Sequence, residues 1–282
     1  MTHSGSRTVS YRVNCHALDL SDPNDFSSAG PLIDESMASP PADPEALRGE
    51  AVADAKRLMR VSRTAALATL DPDDGAPLAT LVGVASDFDG APLFLMSTLS
   101  RHTWHLQRDP RASVLLSERP ARGDPLNHPR VTLNGRILSD GRPNARARYL
   151  QRNAKARLYA DFADFGIFRL EIESVHFNGG FGRAQRLEPA DILAPRDGEA
   201  ALVEAEARLL EEVNARGDAF VAGLAGFAPS GRRVWRAVGL DSEGLDLMAG
   251  SRAARLQFAT PARDRAGWRD QLTETAKQEV SN

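Results

Sequence analysis

The chain has 282 residues and a mass of 30.5 kDa, more than one domain of ~150 residues needs, so a core domain with a smaller companion is the starting expectation. With 42% hydrophobic and 26% charged residues it excludes disorder throughout and leaves ample apolar surface for a core. A formal charge of -3, from 35 basic and 38 acidic residues, excludes a global field that recruits nucleic acid or an anionic membrane, and the expected partner is a small molecule.

The single cysteine, Cys15, excludes an internal disulfide and a thiolate-rich zinc site, which fits a reducing compartment and makes the cytosol the simplest location. No signal-peptide pattern opens the chain, and the longest uncharged run, Ala219 to Gly231, falls short of the ~20 residues that span a bilayer. Residues 1–42, rich in Ser, Pro and Asp, lack a sustained apolar period and read as a disordered extension, with Met37 as an alternative start.

Order begins at Asp43-Pro44, a capping residue followed by proline at the first helical position, and Leu47, Ala51, Ala55 and Leu58 continue at helical spacing to about Arg60. Runs 64–70, 77–86, 92–99 and 111–117 are short and β-rich, and the turns 71-DPDDG-75 and 87-DFDG-90 make the first three an antiparallel meander. A short helix opens at Ser100 and ends before Asp109-Pro110. Beyond a Pro/Gly-rich loop, 130–138 reads as a strand and 145–160 as a helix whose basic residues form a solvated face, the alternative being a phosphate or partner contact. The segment 167–177 alternates at Phe168, Leu170, Ile172 and Ser174, and the turn 178-NGG-180 leads to a last short strand ending at Leu187. After Pro189 and Pro195 come an acidic helix to about Arg216, a helix over 218–228, strands 232–241 and 252–258 around the turn 241-DSEG-244, and a final helix capped by Asp264. The expected architecture is α+β and mainly β: a disordered 1–42, an antiparallel split barrel with flanking helices over 43–195, and a small α/β domain over 196–282.

The most informative stretch is 93-LFLMSTLSRHTWHLQRDPRASVLL-116, where a strand delivers a hydroxyl-rich loop to a helix start carrying Arg101 and His102. Ser97, Thr98, Ser100 and Arg101 supply donors for an anion; the alternative is a capped helix with surface charges. His102 and His105 share a helix face, but no nearby carboxylate pattern supports a metal site, and His176 is expected to point opposite to Phe177. No P-loop, dinucleotide fingerprint, hydrolase nucleophile motif or paired-carboxylate arrangement stands out, which favours chemistry borne by a cofactor.

This stretch resembles the phosphate-binding segment of the FMN-binding split barrels, the superfamily of pyridoxamine 5′-phosphate oxidase, with Ser100-Arg101-His102 in place of its Ser-Arg-Lys. The resemblance runs from about Leu58 to Leu187 and includes 175-VHFNG-179, where Phe177 and Asn178 match the element lying against the flavin. The order of elements, with 181-FGRA-184 and a small C-terminal domain, is most similar to the heme-utilisation (HugZ-like) branch. The resemblance implies a homodimeric flavin-dependent oxidoreductase. Ser97, Thr98, Ser100, Arg101 and His102 hold the FMN phosphate, and Leu81, Val82, Phe177 and Asn178 complete the cofactor-binding set. An apolar sheet face including Leu81, Val114 and Leu116 is covered by the second copy. Ala79 stands where the oxidase carries an arginine, and only Arg183 remains of its Arg-x-His pair, so pyridoxal phosphate synthesis is not expected. The alternative implied by the heme-utilisation branch is a heme-binding or heme-degrading protein. No histidine follows His176, so His102, His128 or His176 is the candidate axial ligand.

Overall fold

The computed structural model of the protein describes residues 43–117, 123–196, 198–226 and 234–281, so the expectation for the first 42 residues lies outside the described part. Helix α1, Pro44–Val61, starts where its sequence predicts: the Asp43 side chain accepts from the Glu45 N–H at 3.0 Å, and Pro44 takes the first turn. Its buried stripe, Ala51, Ala55, Leu58 and Met59, packs into the core of a large antiparallel sheet.

That sheet contains β1 (Thr64–Leu70), β2 (Pro77–Gly83), β3 (Ala85–Ser86), β4 (Pro92–Ser97), β5 (Arg111–Ser117), β6 (Arg130–Ser139), β7 (Phe165–Asn178) and β8 (Ala184–Leu187). The order along it is β2-β1-β5-β6-β7-β4-β3, with β8 also pairing with β7. Helix α2, Arg101–Leu106, joins β4 to β5, and the short α4, Pro189–Ile192, follows β8. Alternation sends Leu67, Val82, Val114, Leu116, Val131, Leu133 and Phe177 into one core with α1. Val114 and Leu116 therefore do not lie on the outward face expected of them. That face carries Leu81, 68% exposed, and Leu115, 37% exposed, with Ala66 directly between them in register.

The alternation of β7 changes phase midway. Ser174 pairs with Asn134 and Ile172 with Gly135, which leaves Glu173 as the extra residue of a bulge. A Cβ at Gly135 would lie 1.9 Å from the Glu171 carbonyl oxygen, so the bulge requires glycine there. As a result, Leu170 and Phe168 share the core with Val175 and Phe177, although the two pairs differ in parity.

On the outer face, β3, β4 and the start of β7 are covered by α3, Pro143–Arg152, through Ala145, Tyr149 and Leu150. The helix expected over 145–160 breaks at Asn153 and resumes as a 3₁₀ turn over Ala154–Leu158. The Asn153 side-chain amide donates to the Val84 carbonyl at 3.2 Å, which draws the chain back to the sheet.

The rest of the chain forms a three-stranded antiparallel sheet, β9 (Arg236–Asp241), β10 (Gly244–Ala249) and β11 (Arg252–Gln257), with β10 in the centre. Helices α5 (Glu199–Ala215), α6 (Asp218–Leu224) and α7 (Arg265–Ser281) pack with it around a second core that includes Trp235, Leu245, Leu247 and Trp268. The expectation of two strands around 241–244 missed β10. Both cores belong to one compact unit. Between them lies a buried ionic lattice. Arg60 reaches Asp241 at 3.0 Å, Arg255 reaches Asp241 at 2.7 Å and Asp246 at 3.0 Å, and Arg148 pairs with Glu206 while donating to the Leu240 carbonyl. None of the helices among the described residues is long and apolar enough to cross a membrane.

Candidate functional site

The loop after β4 and the start of α2 sit against the ends of β1 and β2. Most of its side-chain donors already have partners within the protein. The Ser97 hydroxyl donates to the Asp164 carboxylate and accepts from the Leu99 N–H at 3.0 Å. Ser100 donates to the Ser97 carbonyl at 2.7 Å and lies 2.8 Å from the Thr103 hydroxyl, so it makes no side-chain cap to α2. The Arg101 guanidinium bonds Asp71 at 2.5 Å, while its Nε–H donates to His105 Nε2 at 3.0 Å; the His105 Nδ1–H then faces the Thr69 hydroxyl at 3.1 Å. Backbone donation from Asp73 and the Arg101 contact hold the Asp71 carboxyl below its usual range.

His102 is half-buried, with Nδ1 3.3 Å from the Thr80 hydroxyl, and burial together with His105 pushes its imidazole towards the neutral form. Thr98 and Arg101 remain exposed, the Arg101 side chain at 62%. The six-residue α2 offers little aligned dipole. Two carboxylates, Asp71 and Asp164, thus stand where an incoming phosphate would need empty donors.

The profile of the family described as "CREG, beta-barrel" matches residues 46–193. The chain belongs to the CREG β-barrel family. A protein of unknown function from Agrobacterium tumefaciens is 35% identical in sequence to this CREG β-barrel chain, covers 86% of it and 98% of itself, and superposes with a TM-score of 0.69. A second relative, the non-canonical heme oxygenase HOZ, chloroplastic, of Arabidopsis thaliana, is 33% identical over 114 residues, 39% of this chain and 34% of that protein. The matched region thus spans about a third of the curated relative's length.

The CREG β-barrel of one copy does not bring all the expected cofactor residues together. Val82 is buried and Leu81 exposed, so these neighbours point to opposite sides of β2. Phe177, 1% exposed, is a core residue and not a wall for a ligand. Asn178 accepts from the Gly180 N–H at 3.0 Å and so shapes the 178–180 turn. Ser97 pairs with Phe165 at the opposite end of β7, roughly 40 Å of strand from Phe177 at ~3.3 Å per residue. His176 is exposed on the outer face, paired with Thr132, whereas His128 ends the 3₁₀ turn Pro125–Asn127. Among the described residues no group of three His, Cys, Asp or Glu could hold a metal ion.

A cleft missed in the sequence lies at the split of the barrel, between β2 and β4 and beneath the 3₁₀ turn after α3. It measures about 540 Å³, and its lining includes Arg63, Tyr149, Asn153, Lys155, Tyr159 and Phe165. Its residues are scattered from 63 to 165, and only the break at Asn153 sets Lys155 and Tyr159 facing the sheet edge, so no local motif announces it.

Proposed function

We propose that this CREG β-barrel protein binds a tetrapyrrole, with heme the ligand to test first and oxidative heme breakdown the activity to assay. The occupancy of the Ser97–Arg101 loop carries this reading: Asp71 and Asp164 hold its best donors, which fits a phosphate ester poorly. The 33% identity with a non-canonical heme oxygenase supports the choice of ligand class. When bound, heme would supply the redox chemistry and the chain would supply position and shielding. Hemin should develop a saturable Soret band with the full-length protein. A flat titration with hemin against a saturable one with FMN would overturn the reading.

FMN remains the second reading because the Arg101 guanidinium and the Thr98 hydroxyl stay exposed. It needs Arg101 to exchange Asp71 for phosphate. In either reading we propose a homodimer, because the elements around Ser97 and around Phe177 lie at opposite ends of β7 and a second copy can join them.

A further inference from the structure

The cleft at the split of the barrel differs in charge from the other clefts that expose arginines. Where Arg142 and Arg169 line a cleft, Asp87, Asp89 and Asp140 answer them; where Arg60, Lys56 and Arg255 do, Asp241 and Glu243 answer. At the split, Arg63 and Lys155 line a space with no acidic residue in its wall. Arg63 Nη1 donates to the Gly250 carbonyl at 3.4 Å, and its buried Nε has no partner among the described residues. Arg63 and Lys155 thus face the cleft with no carboxylate in its lining, and an anion received there would supply the counter-charge.

The opposite wall is aromatic. Tyr159 and Phe165 pack with ring centroids 5.0 Å apart, and Phe162, 59% exposed, extends that surface outwards at 6.4 Å from Phe165. Tyr149 forms part of the lining, and a Cβ at Gly83 would fall 2.7 Å from its hydroxyl, so glycine is what makes room for the phenol oxygen at β2. Cations on one side and ring faces on the other suit a planar apolar ring bearing carboxylates.

We propose that this cleft receives the ring of the tetrapyrrole, with Arg63 and Lys155 taking its two carboxylates and the tilted Tyr159–Phe165 pair giving it an aromatic wall, one ring against its face and the other against its edge. The assignment rests on the tetrapyrrole reading and adds where, and by which groups, the ring is held. Because no histidine, cysteine or methionine lines the cleft, affinity comes from carboxylates and aromatic contact, and the iron is dispensable.

The test titrates full-length protein with hemin, metal-free protoporphyrin and protoporphyrin dimethyl ester, following absorbance and tryptophan quenching. Protoporphyrin should bind within about threefold of hemin, the diester at least tenfold more weakly, and the Arg63→Ala/Lys155→Ala pair should weaken the acid at least tenfold while leaving the diester unchanged. Lys155→Glu, on an exposed side chain, repeats the loss should the Arg63 change disturb folding. If hemin binds but the charge variants or the ester change nothing, or if only the iron-containing ring binds, this assignment is overturned and the tetrapyrrole reading stands. If none of the three porphyrins binds, both fall.

Discussion

At the scale of single residues, Asp241 shows how charge is kept inside this fold. Burial alone would raise its carboxyl, but Arg255 and Arg60 overcome that and hold it at about 2. A carboxyl depressed from about 3.8 in the unfolded chain stabilises the fold above that value, and the contribution disappears as pH falls from about 4 towards 2. Asp241→Asn should remove the acid sensitivity along with the pair. It leaves buried Arg60 without its carboxylate and Arg255 with Asp246 alone, so urea denaturation at pH 7 should show a loss of about 3–5 kcal/mol at an unchanged slope. Asp71 differs in that its partner, Arg101, is exposed to solvent. Asp71→Asn releases the exposed Arg101 guanidinium and should change the unfolding free energy in urea by no more than about 1 kcal/mol. The same variant discriminates the two cofactor readings: it should raise FMN affinity severalfold if Arg101 is a phosphate receiver, and leave hemin affinity unmoved if the ring lies in the cleft at the split.

At the scale of elements, the physical signals differ in how local they are. Helix α1 was legible because its cap, its proline and its apolar spacing are consecutive in sequence, and β1, β4 and β5 because turn residues bound them. Strand β10 was not. Its segment 244-GLDLMA-249 is short, carries Asp246 in the middle and is buried along its whole length, so it shows no alternation; the aspartate is tolerated only because Arg255 on the neighbouring strand meets it. The bulge in β7 was equally hidden, since Gly135 on the partner strand, not any residue of β7 itself, makes room for it. That glycine gives a sharp expectation. Gly135→Ala must open the β6–β7 pairing or expel the bulge, and a cost of at least ~2 kcal/mol in thermal or urea unfolding should follow. Exposed Gly75→Ala, in a turn with open space around it, should cost less through its φ of +75° alone.

At the scale of the whole molecule, the outer face of the large sheet is covered on one side only. Helix α3 shields β3, β4 and the start of β7, whereas the row Leu81–Ala66–Leu115–Thr132–His176 runs bare across β2, β1, β5, β6 and β7. Bare leucines on an open sheet face favour association, and a two-fold axis would set the row of one copy against the same row of another. It would also bring His176 into the contact and let the 178–180 turn of one copy approach the β4–α2 loop of the other, so cofactor affinity and association should be linked. Replacing Leu81 and Leu115 together with glutamate places four carboxylates in such a contact without touching the core, since both side chains point away from it. Sedimentation equilibrium at micromolar concentration should then show wild-type protein near twice 30.5 kDa and the variant near that mass, with the variant's unfolding still cooperative. A wild-type chain that sediments as a monomer while binding hemin tightly would mean that the bare face serves another purpose and that one copy suffices for the site.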